Sequence, residues 1–160
     1  MREVEYKFNI KGFFENEQEL LDTVKKRKIC YDSEPYYRTK KGALIQIGYQ
    51  LNIYGTFPEG HMNATPDDPE FSAVLRDVRR VAEALSSTCD PLHMCEATIL
   101  DSNTVTYAHE RKMRPDVTVH IPVFDQQNYG HPVDDKIRNT LEMAGRILEG
   151  AGVHKTRWQE

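Results

Sequence analysis

The chain has 160 residues, of which 39% are hydrophobic and 29% charged, with a formal net charge of -4 and a sequence pI near 5.9. This length can bury a core without disulfides or a structural metal, and the composition is not that of a disordered chain. The acidic balance disfavours a general phosphate-binding surface and no apolar run reaches membrane-spanning length, so neither nucleic acid nor membrane is an expected partner.

The N-terminus enters an alternating pattern at once and has no signal-peptide core, and the cysteines, Cys30, Cys89 and Cys95, are odd in number. Reduced thiols and a cytoplasmic address are the expectation. Val4, Tyr6, Phe8 and Ile10 predict a first strand that stops at Gly12. Asn16 followed by Glu19 has the form of a helix N-cap with a third-position acid. Leu20, Leu21 and Val24 supply the stripe of that helix, and Lys25, Lys26, Arg27 and Lys28 read as cations on its C-terminal dipole.

Residues 32 to 35, Asp-Ser-Glu-Pro, are expected to break the chain before a strand over 36 to 40. Lys41-Gly42 predicts a tight turn into a long strand over 43 to 54. There Ile45, Ile47, Tyr49, Leu51 and Ile53 alternate with Gln46, Gly48, Gln50 and Asn52. After a loop rich in Gly and Pro, Asp68 and Pro69 open a helix whose stripe is Phe71, Val74, Leu75, Val78, Val81, Ala82 and Leu85. Arg76, Asp77, Arg79, Arg80 and Glu83 read as its solvated face.

Residues 86 to 91 are expected to connect this helix to strands over 94 to 100 and 104 to 112, flanking a turn at Asp101-Ser102-Asn103. Val117, Val119, Ile121 and Val123 form a further strand, whose Pro122 points to a sheet edge or a strand end. Ile137, Leu141, Ala144, Leu148 and Ala151 give the last helix, ended by Gly150 or Gly152. Trp158 stands in the tail.

The expected fold is therefore α+β: one domain over residues 1 to 160, an antiparallel sheet, and helices packed on one of its faces. Sliding the chain by 70 positions aligns Ile47, Tyr49, Leu51 and Ile53 with Val117, Val119, Ile121 and Val123, and Gly60-His61 with Gly130-His131. An internal duplication of a strand-strand-helix unit, over 36 to 87 and 104 to 152, follows as a reading of the pattern.

Three places can carry chemistry. Cys89, His93 and Cys95 are zinc-ligand types, but their spacing is not that of a paired-cysteine knuckle, so no metal or cofactor is expected. His61 and His131 each precede a helix start that attracts an anion, although Asp67, Asp68, Asp134 and Asp135 compete for the same amides. The third is the non-core strand face, where Gln46, Gln50 and Asn52 surround a bare Gly48 and His120 lies on the matching face of a later strand. An imidazole among amides suits binding or acid-base work, and the glycine suits close approach by a ligand or a second subunit.

Serine-hydrolase elbows, phosphate-binding loops and dinucleotide fingerprints are absent, and no reaction is named by what remains. The expectation is a protein that self-associates and binds a small polar ligand through Gln46, Gln50, Asn52, His120, His61 and His131. The alternative is a non-enzymatic interaction factor, such as an inhibitor, adaptor or immunity-type protein.

Overall fold

A computed structural model describes residues 8, 10–56, 69–89, 100–101, 106–107, 115–124 and 133–155. Helix α1 (Glu17–Arg27) begins as its cap predicts: Asn16 Oδ1 accepts from the Glu19 amide at 2.9 Å and Glu19 Oε1 from the Glu15 amide at 3.0 Å. It ends at Lys28, whose φ of 50° is left-handed. The basic run is more than a solvated helix end, because Arg27 is buried. Its guanidinium meets Glu70 at 2.7 Å and Asp77 at 2.8 Å.

Strands β1 (Cys30–Lys40) and β2 (Ala43–Thr56) form the expected hairpin. Lys41 and Gly42 have φ of 51° and 82°, the double positive of a type I′ turn, whose twist matches that of the strands. The expected break at Asp32 to Pro35 does not occur, and all four residues lie within β1. Asp32 and Glu34 are tolerated there because β2 opposes them with Asn52 and Gln50, hydrogen-bond donors that suit carboxylates. Pro35 is tolerated because β1 has a second neighbour, β6 (His154–Lys155), only at Cys30 and Tyr31 among the described residues. Between Tyr36 and Tyr37 the register slips and leaves Ile47 without a ladder partner, a bulge in β2.

Helix α2 (Pro69–Cys89) starts at the proline and buries Val74, Val78, Val81, Ala82 and Leu85 completely. It runs through Ser86 to Cys89, where a connector was expected. Its polar side is solvated at Arg76, Arg79 and Glu83, whereas Asp77 is buried beneath Arg27 and Arg80. Arg80 also donates to Glu19 at 2.8 Å and to the Phe13 carbonyl at 2.9 Å, and stacks over Phe14 at 4.4 Å. A continuous charge network therefore joins α1 to α2.

Strands β3 (Leu100–Asp101) and β4 (Thr106–Tyr107) both pair antiparallel with β5 (Pro115–Phe124), Leu100 opposite His120 and Thr106 opposite Asp116. They run in one direction along one side of β5, and Ser102 and Asn103 of the turn expected at Asp101-Ser102-Asn103 lie outside the described residues. β5 lies inside the sheet. Pro122 falls beyond the last β3 pair, where β2 alone flanks β5 among the described residues.

Helix α3 (Asp135–Gly150) is capped by Asp134, whose side chain accepts from the Ile137 amide at 3.0 Å. The chain turns at Gly152, φ 86°, and β6 joins β1 in parallel. The order is β3-β5-β2-β1-β6, with β4 also on β5, and the parallel β6 makes the sheet mixed rather than purely antiparallel.

The core lies on one sheet face. Leu51 and Ile53 of β2 and Val119, Ile121 and Val123 of β5 meet Val74, Val78, Val81 and Leu85 of α2 and Ala144, Ile147 and Leu148 of α3. Each such aliphatic stabilises the fold by about 1.5–3 kcal/mol relative to exposure. Among the described residues, no helix is long and apolar enough to cross a membrane. The N-terminal strand residues Val4 and Tyr6, most of the two strands expected over 94 to 112, and Trp158 lie outside the described residues.

Candidate functional site

The opposite sheet face is built from cross-strand rows. Asp32, Asn52, His120 and Leu100 make one row across β1, β2, β5 and β3. Glu34, Gln50 and Pro122 make the next, and Tyr36, Gly48 and Phe124 the one after. The period-two alternation that sends Leu51 and Ile53 into the core places the β1 and β2 residues of these rows, with His120 and Phe124 of β5, on the other side.

Their polar groups form one network. Asn52, only 4% exposed, donates through Nδ2 to Asp32 Oδ1 at 2.6 Å, and the Tyr54 hydroxyl donates to Asp32 Oδ2 at 2.8 Å. Gln50 Nε2 donates to Glu34 Oε1 and to Asn52 Oδ1, both at 2.9 Å. His120 Nδ1 lies 2.7 Å from Asn52 Oδ1 and 3.2 Å from Gln50 Nε2.

These contacts set the imidazole tautomer. An ionised Asp32 can only accept, so the Asn52 amide nitrogen faces it and Asn52 Oδ1 faces His120. The pair at 2.7 Å therefore needs its proton on His120 Nδ1. The lone pair then sits on Nε2, which has no hydrogen-bond partner among the described residues.

Burial lowers the His120 pKa below its ordinary value, partly offset by the charges of Glu34 and Asp32. The ring is thus kept neutral at neutral pH, available as an acceptor or a proton base. The folded state disfavours the charged form, so its contribution to stability is present above the ordinary pKa of 6.5 and is lost as pH falls through the lower folded value. Denaturant midpoints taken near pH 7 and near pH 5 should differ less in His120→Gln than in the native chain. An equal pH dependence in the two would contradict the depressed pKa. Burial also raises the Tyr54 pKa, with hydrogen bonding and charge from Asp32 acting in the same direction, so Tyr54 stays a donor.

Of the predicted site residues, Gln50, Asn52 and His120 are brought together. Gln46 is not: the bulge separates it from the network, its side chain donates to the Gly48 carbonyl at 3.1 Å, and its own carbonyl accepts from the Val133 amide at 3.1 Å. His61 and His131 lie outside the described residues, as do the zinc candidates His93 and Cys95, while Cys89 ends α2. Gly48 is explained within the chain. A Cβ there would overlap the Val123 carbonyl oxygen, and the Tyr36 and Phe124 rings stack at 5.9 Å from the strands on either side of it. Sequence reasoning missed Asp32, Glu34 and Tyr54, although Asp32, Glu34 and Tyr36 already alternate with Ser33 and Pro35.

Comparison with known protein families, curated proteins and solved structures returns no match for this chain.

Proposed function

We propose that this is a small α+β protein that self-associates and binds a small polar ligand on the sheet face carrying Gln50, Asn52 and His120. One observation supports the reading above the others: a nearly buried asparagine and its neighbours satisfy each other while leaving a neutral imidazole nitrogen unspent. Preformed polar groups of this kind orient a ligand at little reorganisation cost. A thermal-shift screen of small metabolites tests it. A true ligand at about a hundred times its Kd stabilises by about 2.7 kcal/mol, and Gln50→Ala and His120→Ala should each erase that shift. Variants that leave every hit unchanged would refute the assignment, and sedimentation that finds a monomer at working concentration would refute self-association.

A second reading, a factor that docks a macromolecule, draws on the hairpin tip. β5 pairs with β2 only from Gly48 onward, so among the described residues the tip has no third strand. It exposes Tyr37 at 53% and Leu44 at 72%, beside exposed Lys40 and Lys41. Leu44→Asp should abolish capture of a partner on this reading and leave ligand shifts intact on the first.

The duplication also gains support as a proposal. Leu51 and Ile121, aligned by the 70-residue offset, are direct partners in the central antiparallel pair, and the pair Tyr49 with Val123 maps onto Val119 with Ile53. A local two-fold between β2 and β5 generates that correspondence, with β1 and β4 as the equivalent outer strands of the two units.

A further inference from the structure

Building on ligand binding at this face, we propose that the ligand presents an ammonium or guanidinium group, received by His120 Nε2 and the Glu34 carboxylate. A donor and acceptor inventory carries the inference. Gln50 uses both amide protons on Glu34 and Asn52, Tyr54 uses its hydroxyl proton on Asp32, and His120 uses Nδ1–H on Asn52. Asn52 is too buried to offer its second amide proton to a ligand.

Among the described residues of the His120 and Gln50 rows, the valences left at the surface are acceptors, namely His120 Nε2, the second Glu34 oxygen and the Gln50 carbonyl oxygen, while the Tyr36 hydroxyl stands one row further along. Glu34 is exposed, and His120 and Gln50 are half-buried, so a ligand can reach all three. Among the described residues, an anion placed there meets two carboxylates and, within the His120 and Gln50 rows, no accessible side-chain proton left over, whereas a cationic N–H donor satisfies the acceptors that remain. The pull of Glu34 and Asp32 on His120 against its burial shows the same negative potential at the ring.

The test uses the full chain, labelled with ¹⁵N. Long-range imidazole spectra read the tautomer directly, and titrations with methylguanidinium chloride and, separately, inorganic phosphate read the ligand class. The expected result is Nδ1–H at His120, with a saturable shift of the His120 ring and Gln50 side-chain resonances by methylguanidinium and none by phosphate. Glu34→Gln, on an exposed side chain that leaves the fold intact, should weaken the cation about tenfold through loss of one charge-assisted bond. Glu142→Gln, exposed on α3, should not.

An Nε2–H tautomer, an unchanged affinity in Glu34→Gln, or shifts caused by phosphate would each overturn the proposal. Phosphate shifts at His120 and Gln50 would leave ligand binding at this face standing and remove only its charge preference. If some other metabolite shifts these resonances while methylguanidinium does not, the preference falls alone. If neither probe nor any screened metabolite does, both readings fall together.

Discussion

Replacing Gly48 with alanine is expected to lower the unfolding free energy by about 3 kcal/mol, which for a chain of this size is a fall in Tm of roughly 10 °C. The reason is the identity of the obstructing atoms. The added methyl would overlap the Val123 carbonyl oxygen and stand 2.8 Å from Phe124 Cβ and 3.1 Å from the Val123 carbonyl carbon. Backbone atoms held in the ladder, here in the closing pairs of β2 with β5, cannot rotate aside as a side chain can. The collision must be relieved by parting β2 from β5 or by bending the bulge further, and the Tyr36–Phe124 stack lies on the same spot.

Gly55 provides the contrast. A Cβ there would also collide, but with the Val78 side chain, so Val78→Ala should recover part of the loss in Gly55→Ala, whereas no side-chain truncation rescues Gly48→Ala. Thermal unfolding of the four variants decides it. A Gly48→Ala protein within about 1 kcal/mol of the native chain would mean that the strand approach is looser than described.

Arg27→Ala should cost about 3 kcal/mol, measured from the urea midpoint at constant m. Arg27 is 3% exposed and its guanidinium is the nearest cation to Asp77, itself buried. Burial alone would depress the arginine's pKa, but hydrogen bonds and charge from Asp77 and Glu70 outweigh it and the net shift is upward. Removing the arginine leaves Asp77 to Arg80 at 3.5 Å and to Arg76 at 3.8 Å, weaker contacts with partners nearer solvent. The effect is therefore mostly the desolvation of a stranded carboxylate. Truncating both partners, Arg27→Ala with Asp77→Ala, should consequently cost less than the sum of the singles, by about 1 kcal/mol or more. Strict additivity would show that the pair is not coupled.

How much of this was readable from residue order depends on which force set each element. Both helix caps, Asn16 and Asp134, and the Lys41-Gly42 turn act through neighbours one to four residues away, and their positions in the structure match the local pattern. The core stripe of α2 follows from periodicity in the same way. Residues 32 to 35 misled because propensity treats Asp, Glu and Pro as strand breakers, and what keeps them in β1 is a partner strand about 20 positions away. Asp77 and Arg27 looked like surface charges for the same reason, since their partners lie on separate helices 50 residues apart.

The polar face was visible as an oddity, amides where lysines belong, and His120 could be assigned to it by alternation alone. Its tautomer could not. That depends on Asp32, whose place opposite Asn52 exists only once the hairpin register is set.

The proline in β1 has a further meaning for how copies of the chain can meet. In an antiparallel ladder successive residues turn their amides alternately toward and away from the partner strand. Counting from the closing pair Lys40–Ala43 and across the bulge puts Pro35 among the outward-turned positions, where a proline brings no proton. A strand added alongside β1 would find a gap midway along its length, with Glu34 beside it. Lengthening of the sheet at that margin is thereby disfavoured, because the added strand would lose a ladder hydrogen bond beside a carboxylate.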